Sequence, residues 1–185
     1  MKITLLSILF YALATSAPAQ NYIAPQGKIH FHSSAPLEDI DAVSSAASCL
    51  LNTTTKRVTA KVELMTFVFP KALMQQHFND TYLESDKFHE ATLDAEIVEA
   101  VPFKKDGVYK ITLKGTLDIH GVKQQRSIYG KLTVKDGQPS SAYAEFEVRL
   151  VDHNIKVPSI VIKHIAEVVK VDVNFVFNKV ATADK

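Results

Sequence analysis

The pattern that most restricts the fold of this chain is an alternation of apolar and polar residues with a period of two. In Lys110–His120 the odd positions are apolar or glycine, and the even positions are all polar. Successive side chains of an extended strand point to opposite faces, so this segment is predicted to be a strand with one buried and one solvated face. The other segments with this pattern are residues 58–64, 93–97, 128–134, 142–150 and 171–177.

Two further strands bring the predicted count to about eight, one near Lys28–Ser33 and one within Ile40–Leu51. Turn signals, such as those in residues 105–107 and 136–139, separate the segments. Many half-buried strands without alternating helices predict an antiparallel all-β domain. About eight such strands suit a closed barrel, which its own side chains can fill or which can hold one small ligand.

Two segments have helical rather than strand character. Residues 70–78 begin with a proline, which suits the first turn of a helix, and they place their apolar residues on one face. Residues 158–169 predict a second helix, although their β-branched residues weaken it. The alternation changes phase between Leu64 and Phe67, which predicts a β-bulge before the first helix. Residues 77–92 do not alternate and are predicted to cross from this helix to the next strand, with their acids facing water.

Many inward positions of the predicted strands carry small side chains, and a barrel lined by them should contain unfilled apolar volume. Packed interiors do not tolerate large voids, so either the barrel flattens into a sandwich or an apolar ligand fills it. We favour the ligand, because the aromatic residues gather near one end of the fold. The small inward residues are Ala60, Ala95, Gly115, Gly130, Ala142 and Ala144.

The first nineteen residues have the features of a secretory signal peptide. Lys2 precedes an apolar run, and Ala17-Pro18-Ala19 supplies the small-x-small pattern that signal peptidase recognises. The run is too short for a membrane anchor, and no later segment is long and apolar enough to cross a bilayer. Residues 1–19 are therefore predicted to be removed, leaving residues 20–185 as one domain in the periplasm or outside the cell.

Charge and cysteine content exclude several classes of protein. The formal net charge is +1, and removal of Lys2 brings it to about zero, which argues against nucleic acid as the main partner. Cys49 is the only cysteine, so no internal disulfide can form. Without a cysteine at the cleavage site, a lipoprotein anchor is not expected.

No motif in the sequence predicts catalysis or a metal site. His30 and His32 share one face of the first strand, but a zinc site needs further converging ligands, so they are interpreted as solvated strand histidines. The neighbouring acids Glu38, Asp39 and Asp41 indicate a solvated strand entry rather than a carboxylate pair. A nucleophile elbow and a glycine-rich phosphate loop are both absent from the sequence. We expect no catalytic residue, no metal and no cofactor other than a bound lipid.

Four segments, in this order along the chain, resemble the YceI-like family, and the resemblance extends over residues 27–177. It implies a lipocalin-like antiparallel barrel whose hydrophobic tunnel takes a polyisoprenoid or another long-chain lipid, in a periplasmic or secreted protein. Two positions depart from the family pattern: His89 replaces a common proline, and Lys123 a common threonine. The four segments are Ser33-Ser-Ala-Pro-Leu-Glu-Asp-Ile, Phe69-Pro-Lys-Ala-Leu-Met-Gln-Gln-His-Phe-Asn, Tyr82-Leu-Glu-Ser-Asp-Lys-Phe and Gly115-Thr-Leu-Asp-Ile-His-Gly-Val.

The leading hypothesis is therefore a binding protein that carries or stores a long-chain amphiphile such as a polyisoprenoid, an isoprenoid quinone or a fatty acid. Burial of ten methylene groups contributes about 8 kcal/mol before entropic losses, which suffices for roughly micromolar affinity. The polar candidates for the head group are His77, Asn79 and His120. The residues predicted to line the tail site are Val62, Leu64, Phe67, Phe69, Leu73, Phe78, Tyr82, Phe88, Leu117, Ile119, Phe146 and Phe175.

Two other classes of function remain open at this point. One is a metal- or histidine-dependent enzyme acting on a lipid, with His77, His120 or the pair His30 and His32 as its functional groups. The other is a stress-related interaction module whose barrel is filled by its own side chains. A homodimer formed through the helix or an exposed strand is also possible for a domain of this type.

Overall fold

The computed structural model describes residues 20–35, 37–157 and 166–180, and most of these residues lie in a closed antiparallel β-barrel. Each of the eight long strands pairs with its neighbour in the sequence, and β1 also pairs with β8, which closes the barrel. A short ninth strand pairs with the start of β1. The strands are β1 (Asn21–Ser34), β2 (Asp39–Asn52), β3 (Arg57–Glu63), β4 (Glu90–Ile97), β5 (Gly107–Ile119), β6 (Val122–Lys135), β7 (Gln138–Arg149), β8 (Val168–Val176) and β9 (Asn178–Lys179).

The predicted all-β barrel of about eight strands is confirmed, and its first strand is longer than predicted. β1 begins seven residues before Lys28, at Asn21. Its first half contains Pro25 and Gly27, two residues that weaken a strand pattern. Register shifts against β2 on either side of Gly27 accommodate them as an irregularity of the pairing.

Two of the hairpins turn through two residues that both have positive φ angles. The β5–β6 turn is His120-Gly121, with φ angles of 54° and 69°, and the β6–β7 turn is Asp136-Gly137, with 53° and 66°. This conformation matches the right-handed twist of the paired strands, and glycine adopts it without a steric penalty. The His-Gly step in the fourth family motif is therefore a turn that joins two strands.

One of the two predicted helices is present. α1 (Ala72–His77) falls within the predicted segment and continues into a π-helical turn, Phe78–Tyr82. The second predicted helix, 158–169, lies mostly outside the described residues, and its last two residues belong to β8. That part of the prediction was wrong because β-branched valines fit a strand better than a helix.

The change of phase between Leu64 and Phe67 is a 3-10 turn and not the predicted bulge. The turn covers Leu64–Thr66 and ends β3. The Thr66 hydroxyl lies 2.7 Å from that of Ser44, a fully buried residue of β2. The turn therefore directs residues 67–71 back along β2, where Val68 pairs with Val43.

The two ends of the barrel differ in construction. At one end lie the β1–β2 turn, α1, the His120-Gly121 turn and a 3-10 turn, Leu150–His153. We call this the mouth end. The opposite end, which we call the closed end, has the short β2–β3 and β6–β7 connections. Leu51 and Ile97 reach it with almost no exposed surface.

Candidate functional site

A cavity of about 590 Å³ occupies the interior of the barrel. The side chains of the inward-facing positions of the strands form its wall, which is a direct consequence of their period of two. The cavity reaches the surface at the mouth end beside α1, where the lining residues Leu73 and His77 are exposed. The barrel is thus closed without being flattened, and it encloses apolar space.

Twelve of the fifteen residues that the sequence predicted for the ligand site lie on the wall of this one cavity. Strands, the 3-10 turn, the segment after it and α1 all contribute to the set, so the fold brings together residues that are distant in the sequence. Whether they contact a ligand remains a prediction. The twelve are Val62, Leu64, Phe67, Phe69, Leu73, His77, Phe78, Tyr82, Leu117, Ile119, Phe146 and Phe175.

The structure does not place the other three, Asn79, Phe88 and His120, on this wall. Asn79 accepts a hydrogen bond of 2.9 Å from the hydroxyl of Ser85, which is fully buried. Phe88 packs against the imidazole of His120, with ring centroids 4.4 Å apart. These side chains stabilise the loop that follows α1, and sequence position alone could not separate that role from ligand contact.

His120 joins three loops at the mouth end. Its Nε2 lies 2.9 Å from a carboxylate oxygen of Glu84, and its Nδ1 lies 3.1 Å from the backbone carbonyl of His153. His153 is fully buried, and its ring Nδ1 lies 3.1 Å from the carbonyl oxygen of Val122. His120 is therefore a strand-end histidine that bonds to neighbouring loops.

Four phenylalanine rings form the cavity wall near the mouth. Phe78, at the end of α1, lies 5.5 Å from Phe31, 5.7 Å from Phe67 and 5.0 Å from Phe69, measured between ring centroids. Such tilted and stacked pairs stabilise a structure beyond the apolar area that they bury. The cluster holds α1 over the barrel. Phe31 was missed by the sequence prediction, although it alternates with the outward-facing His30 and His32.

Charged groups on the cavity wall are few, and two of them form an ion pair at the mouth. Among the described lining residues the Asp, Glu, Lys and Arg side chains are those of Glu38, Lys61 and Lys71, and all three are at least partly exposed. The Lys71 Nζ lies 2.6 Å from a Glu38 carboxylate oxygen, so this ion pair connects α1 to the β1–β2 turn. An amphiphile inside the barrel would meet this ion pair at the mouth.

Cys49 lies on the cavity wall as a free thiol. Burial disfavours the thiolate and raises the pKa of this group to about 12. Because the thiolate is the reactive form, Cys49 acts here as a small apolar side chain.

Half of the small residues noted in the sequence create cavity volume. Ala60, Ala142 and Ala144 lie on the cavity wall, whereas Ala95, Gly115 and Gly130 do not. At Gly115 an added Cβ would collide with the backbone of Asp94 and Ala95 on the neighbouring strand. At Gly130 it would lie 2.6 Å from the carbonyl oxygen of Tyr143. The two glycines therefore allow close approach of neighbouring strands, and their interpretation as lumen space was wrong.

The interpretation of His30 and His32 as simply solvated was also wrong. On the outer face of the barrel, His30 bridges two strands: its Nε2 lies 2.9 Å from Asp41 on β2, and its Nδ1 lies 2.8 Å from Asp172 on β8. His32 Nδ1 lies 3.1 Å from the same oxygen of Asp41. The hydrogen bond to Asp41 is the main cause of a raised pKa at His30, and the same bond lowers the pKa of Asp41.

We predict that the His30 bridge makes stability depend on pH. Because its pKa in the folded chain is raised above 6.5, its contribution is full below that value and is lost as the pH rises through the raised pKa. The groups are partly exposed, so the loss should be less than about 1 kcal/mol. Urea unfolding between about pH 6 and about pH 9 should show this loss as a fall in the free energy of unfolding.

In His30→Gln the fall in the free energy of unfolding over this range should be smaller. In His89→Gln, a change at an exposed loop histidine, the fall should match that of the wild type. Equal falls in all three proteins would contradict the bridge.

In the part of the chain that the structure describes, no group of three or more His, Cys, Asp or Glu side chains is arranged to hold a metal ion. The described residues likewise include no helix with the length and hydropathy needed to cross a membrane.

The sequence profile of the YceI-like domain matches residues 26–177, which includes all eight barrel strands except the first five residues of β1. The chain belongs to the YceI-like family. The match covers the cavity and the loops of the mouth end, so the resemblance of the four sequence motifs is confirmed. No curated protein matches the sequence.

Solved structures show that the fold of this YceI-like protein is shared at low sequence identity. A polyisoprenoid-binding domain from Saccharophagus degradans, implicated in plant cell wall breakdown, has a TM-score of 0.67 at 14% identity, over 88% of this chain and 99% of that domain. BcnA of Burkholderia cenocepacia has a TM-score of 0.64 at 11% identity, over 84% of this chain and 96% of BcnA. A YceI protein of Campylobacter jejuni has a TM-score of 0.51 at 13% identity, over 100% of this chain and 91% of that protein.

Proposed function

We propose that this YceI-like protein binds one long-chain amphiphile, with the tail inside the barrel and the polar head at the mouth beside α1. The observation that carries the proposal is a closed barrel around an apolar cavity of about 590 Å³ whose few charged lining groups are all partly exposed. This volume is within the range of small-molecule sites, roughly 300–1,000 Å³. The protein carries or stores this lipid in the periplasm or outside the cell.

The tail is a polyisoprenoid or another chain of similar length. Each buried methylene group contributes about 0.8 kcal/mol, so an apolar cavity of about 590 Å³ favours a long hydrocarbon tail. A tail longer than the cavity would extend into the mouth, between α1 and the β1–β2 turn. The polyisoprenoid-binding description of the Saccharophagus degradans domain supports this class of ligand.

Binding without catalysis fits the cavity better than the two alternatives from the sequence. Of the histidines considered for an enzyme, only His77 lies on the cavity wall, and His120 bonds to loop groups instead. A module whose barrel is filled by its own side chains would leave no interior volume of this size. We therefore propose no metal and no cofactor apart from the lipid itself.

Extraction of the purified protein tests the proposal. Denaturing mass spectrometry of the extract should detect a long-chain lipid in amounts close to that of the protein. Delipidated protein should in turn take up a prenol or an isoprenoid quinone from detergent solution. Folded protein, verified by circular dichroism, that carries no lipid and takes up neither probe would refute the function.

A further inference from the structure

Five apolar side chains in the described mouth-end loops are exposed to solvent; one of them, Val68, pairs with Val43 of β2, and the other four are considered together. Each of the four is between 58% and 63% exposed. A single exposed apolar side chain is common, whereas several around one opening mark an interaction surface. We call this set the rim: Leu37, Met65, Leu73 and Val151.

The rim residues lie in the segments that border the opening of the cavity. Leu73 itself lies on the cavity wall, and the other three are chain neighbours of the lining residues Glu38, Leu64 and Leu150. The four residues come from four separate segments, namely the β1–β2 turn, the two 3-10 turns and α1. The Lys71–Glu38 ion pair joins two of these segments, α1 and the β1–β2 turn.

The charge of the mouth end indicates what kind of surface the rim fits. The described loops at 37–38, 64–89 and 150–157 carry five acidic residues, Glu38, Asp80, Glu84, Asp86 and Asp152, against three basic ones, Lys71, Lys87 and Lys156. Lys71 and Lys87 are ion-paired with Glu38 and Glu84. Association with an anionic surface is therefore opposed by charge, and apolar contact with an uncharged or zwitterionic surface is not.

The position of the cavity decides between a bilayer and a second copy of the chain as the occupant of this surface. A second copy on the rim would cover the opening through which the ligand enters and would bring two acidic surfaces together. A bilayer on the rim would place the opening against the phase from which a long apolar tail must come. Interfacial apolar side chains bind a bilayer by entering the boundary between head groups and acyl chains.

We propose that the rim docks the mouth of the barrel onto a lipid bilayer with a neutral surface, where the tail passes into the cavity without crossing water. This inference rests on the proposed function, because docking would serve to load the lipid. Docking to a bilayer is nevertheless measured separately from lipid loading. Docking by apolar insertion should depend little on salt, because ion pairs with the membrane contribute little to it.

The test uses full-length mature protein and flotation with phosphatidylcholine vesicles, with or without phosphatidylglycerol. The rim variant is Leu37→Ser, Met65→Ser and Val151→Ser together; Leu73 is left unchanged because it lines the cavity. The control variant is Val108→Thr, Tyr129→Thr and Val176→Thr, which alters three comparably exposed apolar positions on the barrel wall.

We expect partitioning of the wild type to change little between about 0.05 M and about 0.5 M salt. The rim variant should partition at least about tenfold less, and the control variant within about twofold of the wild type.

Loading from detergent solution separates this proposal from the proposed function. The rim variant should still take up the prenol from detergent, because its cavity wall is unchanged, while its uptake from vesicles should slow in proportion to its loss of docking. Docking is refuted if the wild type does not float with neutral vesicles, if the rim and control variants partition alike, or if binding requires phosphatidylglycerol. It is also refuted if the rim variant dissociates a dimer of the wild type, since the rim would then be a protein interface. Failure of loading in folded wild type that still floats would refute the lipid-carrier function and leave docking supported.

Discussion

Replacing Ala142 with phenylalanine is expected to lower lipid uptake at least about tenfold while the barrel still folds. Ala142 lies on the cavity wall in β7, where it pairs with Leu132 on one side and Phe175 on the other. The added ring would occupy lumen volume equal to several methylene groups of the tail. Loss of even two methylene groups from the cavity costs about 1.6 kcal/mol, which already exceeds a factor of ten in affinity. Uptake of a fluorescent prenol from detergent solution measures the effect.

The matched control places the same side chain on the outside of the same strand. In Glu147→Phe the ring projects from an exposed position, so uptake should remain within about twofold of the wild type. Circular dichroism and thermal unfolding should show that both variants keep the barrel. If Ala142→Phe takes up lipid as well as the wild type does, the tail does not occupy the barrel, and the site must lie elsewhere.

The period of two predicted the barrel because it reports directly on burial. A strand with one solvated face must alternate apolar and polar residues. In a closed barrel the apolar residues of every strand point into the interior. For this reason the five predicted site residues on strands share one cavity wall, although they come from distant parts of the sequence; they are Val62, Leu117, Ile119, Phe146 and Phe175. Phe31 could have been added by the same rule, since it alternates with two histidines.

Contacts made by loops and by the outer face of the barrel could not be predicted from the period of two. His30 bonds to Asp172, a partner 142 positions away, because β1 closes the barrel against β8. Phe88 and His120 pack together because the loop after α1 returns to the β5–β6 turn. No periodic pattern encodes either contact, so the sequence left these histidines as solvated residues or as ligand candidates.

Small residues were the most ambiguous signal, because a missing side chain has two different uses in a barrel. At Ala142 it leaves room in the lumen, and at Gly115 it allows β4 and β5 to approach each other. The sequence alone cannot separate these uses, since both positions fall on the inward phase of their strands. The difference appears only in the surroundings of each position. Ala142 borders the open cavity, whereas a Cβ at Gly115 would contact the backbone of β4.

Gly115→Ala is therefore expected to destabilise the barrel by about 2–4 kcal/mol, a large effect for one methyl group. The new Cβ would collide with the carbonyl oxygen of Asp94 and the Cα of Ala95, and backbone atoms in a paired strand cannot move aside as a flexible side chain can. For a chain of this length the loss corresponds to a fall in Tm of roughly 5–15 °C. Thermal and urea unfolding measure it, and Lys114→Ala, at the exposed neighbouring position, should change stability by less than about 0.5 kcal/mol.

A second substitution identifies the cause of the destabilisation. Ala95→Gly removes the side-chain methyl group that faces Gly115 but leaves the backbone of β4 in place. If the backbone is the obstacle, the double variant Gly115→Ala with Ala95→Gly should recover less than half of the lost stability. Full recovery would mean that only the Ala95 methyl group obstructs position 115. Wild-type stability of Gly115→Ala alone would mean that β4 and β5 are not in such close contact. The barrel would then be wider at this point, and Gly115 would add to the lumen as the sequence first suggested.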